Sequence, residues 1–479
     1  MPFRSVRSLA LLLVPALAIA ACATEVESGG GLSTDSGTSS AGGGSGGDGG
    51  ALGHDGGASD ARADASPDAA APVVCTYHLS PTGSDAGAGS QGAPWFSLSK
   101  AWTVLKPGDT LCLHGGTYRY TKSQYLQGLS GTAGKLVRIW AVPGEVPVLT
   151  RDPSYTIIPG QNQDLIYLEG DYLHWRGIEI SGFSQRPGEI PFPAFRAGYT
   201  NHSIFEAINY HHNMSGLQIR GDSTDNLFLN SDFHHNQDPY GSDGNGKDAF
   251  DGSDGLDLTF NNDTTGAPNI IRGCRAYWNA DDGFDLWDNN GSIVIEGSWA
   301  FYNGYVPDTF NHAGNGTAFK LGTTSKPAIL SKYTRTIKNN LAYRNYFAGF
   351  VENDSPTKFY VYNNTSVLSG YTNYWFGAWN NGSTAVVRNN IDHQGGEAPG
   401  PFNGGSLVDH NSWNGHVVND SDFESLDASQ LLLPRLADGS LPQTTFLRLA
   451  PSSDLVDTGM DVGLPYLGTA PDIGAFERK

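Results

Sequence analysis

Residues 204–213 read IFEAINYHHN, and residues 227–236 repeat the phrase as LFLNSDFHHN. An apolar strand, a small residue or Asn, and a second short strand ending in Asn or Gly make one unit. The unit returns as IIRGCRAYWN (270–279), IVIEGSWAFYN (293–303), TIKNNLAYRN (336–345), YVYNNTSVLSG (360–370) and VVRNNIDHQGG (386–396). With Ala207, Asn230, Gly273, Gly297, Asn339, Asn363 and Asn389 as anchors, the shortest spacings are 23, 24 and 24 residues. β-Branched and aromatic residues alternate with polar ones, and Gly and Asn punctuate the turns. Short strands recurring at this period predict a parallel β-solenoid. Its coils would stack at the ordinary strand spacing of about 4.8 Å, so equivalent positions form columns and turn asparagines form ladders. A β-sandwich is the competing all-β reading, and it gives no reason for a fixed phrase. Helical period is nearly absent. The exception is WFSLSKAWTVL (95–105), which predicts a helix capping the N-terminal end.

A second phrase, small–aromatic or Leu–X–Leu, recurs in the same region. It appears as Gly255-Leu256-Asp257-Leu258, Gly283-Phe284-Asp285-Leu286 and Ala318-Phe319-Lys320-Leu321, with Gly216-Leu217-Gln218-Ile219 one turn earlier. Stacking these turns predicts a column reading Gln218, Asp257, Asp285, Lys320. The stretch NADDGFDLWDNN (279–290) holds four carboxylates and no Lys or Arg. Asp254, Asp257, Asp281, Asp282 and Asp285 would then converge. Hard carboxylate oxygens suit Ca²⁺, whereas Zn²⁺ would call for His or Cys, which this cluster lacks. The spacing is not that of an EF-hand. A solvated acidic turn is the plain alternative. The stacked second copy, with a lysine in the next coil, favours a cation site.

The chain has 479 residues and a formal net charge of −20. Such a surface repels nucleic acid and any acidic substrate unless a cation bridges the two. A uronate polysaccharide carries a carboxylate that a shared Ca²⁺ would engage. That engagement acidifies the proton on the neighbouring C5, and a neutral amine can remove it. Lys320 is the candidate base, provided its pKa is lowered. Its alternative role is an ion pair with Asp285.

The N-terminus reads as an address rather than structure. Arg4 and Arg7 precede an apolar run from Leu9 to Ala20, which is too short for a permanent span. Ile19-Ala20-Ala21-Cys22 resembles a bacterial lipobox, implying cleavage before Cys22 and lipidation there. Residues 22–73 are dominated by Gly, Ser, Ala and Asp, a composition that cannot bury enough apolar surface to fold. The expected organisation is a signal peptide over 1–21, a tether over 22–73 and a folded domain over 74–479. A monomer is expected, exported and lipid-anchored to a membrane or cell surface, or secreted. Cys75 and Cys112 flank the start of the folded region and are candidates to pair in an oxidising compartment. Cys274 reads as a core residue. His211-His212 and His234-His235 sit one coil apart. Strand alternation would split each pair across the sheet, which favours a stacked ladder over a zinc site. Trp287, Trp375 and Trp379 read equally as sugar platforms or as surface cover.

Residues 230–367 resemble the family 9 polysaccharide lyases, pectate lyases built on a right-handed parallel β-helix. The resemblance rests on SDGL (253–256), GCRAYWNADDGFDLWD (273–288), GTAFKLG (316–322) and NNLAYRNYFAGFVEND (339–354). HLSPTGSDAGAGSQGAPW (78–95), KPGDTLCLHGGTY (106–118) and SDLVDTGMDVGLPYLGTAPDIGAFE (453–477) resemble the ends of such proteins. The resemblance implies calcium ligands at Asp254, Asp281, Asp282 and Asp285 and a lysine base at Lys320. Extra residues around 261–265 loosen the place of Asp254 and leave Asp257 as a further ligand candidate. The loop DGNGKDAFDGSDG (243–255) reads as solvated rather than as a second calcium site. The competing functions are a lyase of another uronate polysaccharide, a β-helix hydrolase using paired carboxylates, and a non-catalytic glycan-binding module.

Overall fold

The computed structural model describes residues 73–158, 163–262, 266–322, 333–377 and 383–478. The signal segment, Cys22, the tether up to residue 72 and Trp379 lie outside them. Within them, three parallel sheets of twelve, ten and ten strands run the length of the domain. Along most of that length each sheet takes every third strand in turn. The solenoid expectation therefore holds, and the sandwich does not.

One coil shows how the phrase folds. Ile204–Glu206 lies in the first sheet, Asn209–His211 in the second and Leu217–Gly221 in the third. The corner between the first two strands is Ala207, at φ 51°. The other six anchors, Asn230, Gly273, Gly297, Asn339, Asn363 and Asn389, have φ between 50° and 62°. This left-handed backbone suits Gly and Asn, which explains their recurrence. The corner amide then bonds to the next coil, as Asn230 N–H donates to Arg272 O at 3.0 Å.

The ladders run just past the corners. Asn340 Nδ2 donates to Asn364 Oδ1 at 3.0 Å, Asn364 to Asn390 at 3.0 Å, and Asn390 to Asn411 at 2.8 Å. At the next corner Asn236 donates to Asn279 at 2.9 Å, Asn279 to Asn303 at 3.0 Å, and Asn303 to Asn345 at 2.9 Å. All of these side chains are buried. Losing one would strand buried partners, at about 1–3 kcal/mol for each unsatisfied group.

Inside, aromatic rings stack coil on coil, as Phe284 on Phe319 at 5.2 Å and Phe319 on Phe350 at 4.7 Å. Fully burying such a side chain stabilises the fold by about 1.5–3 kcal/mol. The expected cap helix is Leu98–Trp102, with Ser97 accepting from Lys100 N–H at its start. Its Leu98, Ala101 and Trp102 are buried. Cys75 and Cys112 are disulfide-bonded, and Cys274 is free and buried. At the other end, Phe446, Leu449, Leu455 and Ile473 pack on Phe301, Leu341 and Ile391, outside the second sheet. No helix among the described residues is long and apolar enough to cross a membrane.

The histidines form the expected stacked ladder, His211 on His234 and His212 on His235, but the pairs do not split. His212 and His235 occupy a second set of corners, at φ 54° and 55°. Strand alternation stops there, so each pair converges instead of splitting.

Candidate active site

The third sheet carries the chemistry. Strands Leu217–Gly221, Leu256–Asn262, Phe284–Asp285 and Thr317–Lys320 are neighbours in it. Gln218 pairs with Asp257, Asp257 with Asp285, and Asp285 with Lys320. This is the column read from the second phrase. The column continues through Val351 to Trp375 and, on the other side, back through Arg196.

The small residue of the phrase has a packing cause. A Cβ on Gly283 would come 2.6 Å from Ala318 O and 2.9 Å from Asn303 Nδ2. Glycine lets this corner close against the asparagine ladder, which draws the acidic turns together.

One carboxylate oxygen from each of Asp254, Asp281 and Asp282 lies within 4.8 Å of the others. Their remaining bonds hold them in place. Asp254 Oδ1 accepts from Asp282 N–H at 3.1 Å, and Asp282 Oδ1 from Thr317 N–H at 2.6 Å. Asp281 accepts from Asn315 N–H at 2.5 Å and from Gly252 N–H at 2.8 Å. Asp285 joins this triad through Lys320, whose Nζ is 2.9 Å from Asp282 Oδ2 and 3.0 Å from Asp285 Oδ2. Asp257 stands one coil back, with Oδ2 accepting from Gln218 at 2.8 Å. The amides of Asn315 and Thr317 were not legible as site groups, because main-chain donors carry no residue signature. Asp251, at the rim of the 243–255 loop, also feels Lys320 and Asp282. Farther out on that loop, Asp243 accepts from Asn245 and Lys247 N–H, as a solvated turn does.

All five carboxylates are buried. Burial, then Asp285 and Asp281, push Asp254 well above the usual carboxylate range. Burial, then Asp282, do the same to Asp281. Asp257 is pushed up to about 7, by burial and then by Asp285. Asp285 is also raised by burial, against the pull of Lys320. For Lys320 burial works downward, but Asp282, Asp285, Asp281 and Asp254 outweigh it and hold the amine well above its ordinary value. With carboxylates alone around it, Lys320 is thus the charged partner of an ion pair, with Asp282 as well as Asp285.

The donor set fits a hard divalent cation. Asp257 Oδ1 is buried without a hydrogen bond. Five clustered carboxylates facing the Lys320 ammonium leave a surplus of negative oxygen of the kind Ca²⁺ takes up.

A stability test follows from the raised carboxylates. Asp257 holds its proton in the folded chain up to about pH 7, whereas an unfolded chain releases it near the ordinary aspartate value of 3.8. The folded state therefore binds more protons across that window, so stability falls as pH rises through it. In chelator, the melting temperature should be lower at pH 8 than at pH 5. Excess Ca²⁺ should remove that fall, and a flat profile in chelator would contradict the packing of these groups. Scanning fluorimetry across pH measures it.

Aromatic residues flank the cluster. Trp287, two residues past Asp285, is part-exposed and meets Phe260 edge-on at 4.9 Å. Trp375 lies two coils beyond Lys320, against Phe347 and Tyr371.

Residues 77–390 match the model of the Pel9A-like, right-handed β-helix region. Pectate lyase L of Dickeya chrysanthemi is 33% identical over 424 residues, which cover 84% of this chain and 90% of that protein. The crystal structure of pectate lyase Pel9A superposes with a TM-score of 0.69 at 32% identity, covering 84% of this chain and 96% of that one. A rhamnogalacturonan lyase superposes with the same TM-score at 28% identity, over 79% and 97%.

Proposed function

Because the chain belongs to the Pel9A-like right-handed β-helix family and is a polysaccharide lyase, we propose that it cleaves 4-linked galacturonan by Ca²⁺-dependent β-elimination with Lys320 as base. The observation that carries this reading is the contact of the part-exposed Lys320 amine with Asp282 and Asp285, beside the carboxylate triad.

Asp254, Asp281, Asp282 and Asp285 would hold the cation, with Asp257 as a further oxygen donor. Bound Ca²⁺ supplies the positive charge that draws in the uronate carboxylate and acidifies the C5 proton. Asp282, Asp285, Asp281 and Asp254 hold Lys320 protonated, and with their charge taken up by a cation, burial would favour the neutral amine. Neutral Lys320 takes the proton from C5. The electron pair forms the C4–C5 double bond, the C4–O4 bond breaks, and O4 leaves and takes up a proton. Trp287, exposed one coil before Lys320, would stack on a sugar ring in this reading.

The direct test mixes the protein with polygalacturonate, with and without Ca²⁺, and follows ultraviolet absorbance of the unsaturated product. A calcium-dependent rise is expected. Reducing ends without absorbance would mean hydrolysis, and binding without product a non-catalytic module. The similarity to a rhamnogalacturonan lyase supports a second substrate reading, so both polymers belong in the assay, with alginate as a further uronate.

The domain plan is part of the same reading. Cleavage before Cys22, a lipid on that cysteine and a tether over 22–73 would display the domain from 74 onward at a membrane surface. The same proposal is of a monomer, lipid-anchored to the outer membrane or cell surface, or secreted. Expressed in a bacterial host fed labelled palmitate, the full chain should take up label, and Cys22→Ser should not. Equal labelling of both would overturn the anchor.

A further inference from the structure

The second sheet carries a cluster that β-elimination does not use. His211, His212, His234 and His235 form a two-by-two array on strands Asn209–His211 and Asp232–His234 and their corners. Rings stack between coils, His211 on His234 at 4.7 Å and His212 on His235 at 5.0 Å. Within a coil the rings meet edge to face, and the left-handed corners turn their Nδ1 atoms toward each other. His211 Nδ1 and His212 Nδ1 are 2.7 Å apart, as are His234 Nδ1 and His235 Nδ1. One ring nitrogen from each of His211, His212 and His234 falls within 4.8 Å of the others.

The outer nitrogens are already engaged. His211 Nε2 meets Glu179 Oε1 at 3.2 Å, His235 Nε2 meets Asp308 Oδ1 at 3.1 Å, and His234 Nε2 meets Asn209 Oδ1 at 3.0 Å. Each of these partners is an acceptor, so each Nε2 carries the proton. A neutral imidazole then has a bare lone pair on Nδ1. The Nδ1 atoms of His234 and His235, 2.7 Å apart, converge where one shared proton or a metal ion would lie between them. Carboxylate and amide oxygens behind imidazole ligands are the arrangement that fixes the tautomer and orientation at metal sites.

We propose that the His211/His212/His234/His235 array is a second metal site, specific for a borderline transition-metal ion such as Zn²⁺, distinct from the carboxylate cluster on the third sheet. Nitrogen donors select Zn²⁺ and its neighbours, and carboxylate oxygens select Ca²⁺, so the two sheets sort two kinds of ion. The exposed edge of His212 gives the ion its way in. A metal there would clip two successive coils of the second sheet together.

The experiment titrates the metal-stripped full chain with Zn²⁺ by calorimetry, with Ca²⁺ in excess to occupy the carboxylates. One Zn²⁺ per chain is expected. His234→Ala and the exposed His212→Ala should each weaken binding by on the order of 10²-fold, and Glu179→Gln, behind His211, by about 10-fold. His212→Ala should keep its calcium-dependent lyase rate, which shows that it is folded. No binding by the parent chain at about 100 µM Zn²⁺ would overturn the site, as would binding unchanged in both histidine variants.

Discussion

Lys320→Ala is expected to lose polygalacturonate cleavage by about 10²–10⁴-fold in initial rate, the usual worth of a positioned general base. The variant should still fold. Its amine pairs with Asp282 and Asp285, whose side chains are almost wholly buried, so removal leaves uncompensated buried charge. Breaking such a pair costs about 3–5 kcal/mol. That cost should appear in chelator, as a lowered melting temperature, and vanish in excess Ca²⁺. Calcium affinity should stay level or rise, because the ammonium no longer competes for the same oxygens. Lys320→Arg should not rescue the rate, since a guanidinium stays charged. The parent rate should climb toward alkaline pH as the amine loses its proton, and the variant's residual rate should not. A rate within tenfold of the parent, or an acidic optimum, would remove Lys320 as the base.

Asp254→Asn should weaken Ca²⁺ binding by on the order of 10²-fold, since affinity at oxygen sites follows the number of charged ligands. Asp254 is the cleanest of the acids to change. Its Oδ1 accepts from Asp282 N–H at 3.1 Å, and an amide oxygen keeps that bond. Asp281, by contrast, accepts from two main-chain amides, so an amide there would disturb the 304–316 loop as well. The variant should need more Ca²⁺ to reach its full rate. In chelator it should melt above the parent, because one member of a repelling buried cluster is gone. Calorimetry and melting curves read both effects. A lower melting temperature with unchanged Ca²⁺ affinity would make Asp254 a structural residue and move the cation elsewhere.

Much of this was legible in the chain, for identifiable reasons. Corners of a stacked coil need left-handed backbone, so Gly, Asn or another small residue returned at Ala207, Asn230, Gly273 and their successors, 23 or 24 residues apart where the coil is shortest. Columns require equivalent residues at equivalent places in each phrase. Asp257, Asp285 and Lys320 could therefore be aligned by eye, and they are paired in register. The histidines form the expected ladder, and only the splitting of each pair failed, for a related reason. The alternation rule assumes strand backbone, and His212 and His235 are themselves corners. A second set of positive-φ positions, one short strand after the first, was the signal available in the repeat.

By itself, the sequence determined the solenoid, the coil repeat and the identity of the column, because period and phrase are one-dimensional properties. Only the tertiary structure decided which acids meet. Asp254, Asp281 and Asp282 come together because a glycine corner closes on a buried asparagine ladder and a returning loop supplies main-chain amides. It also decided that Lys320 touches Asp282 as well as Asp285, and that four histidines face one another. The Lys320 ion pairs and the stacking of one histidine pair on the next are contacts between coils, across residues far apart in the chain.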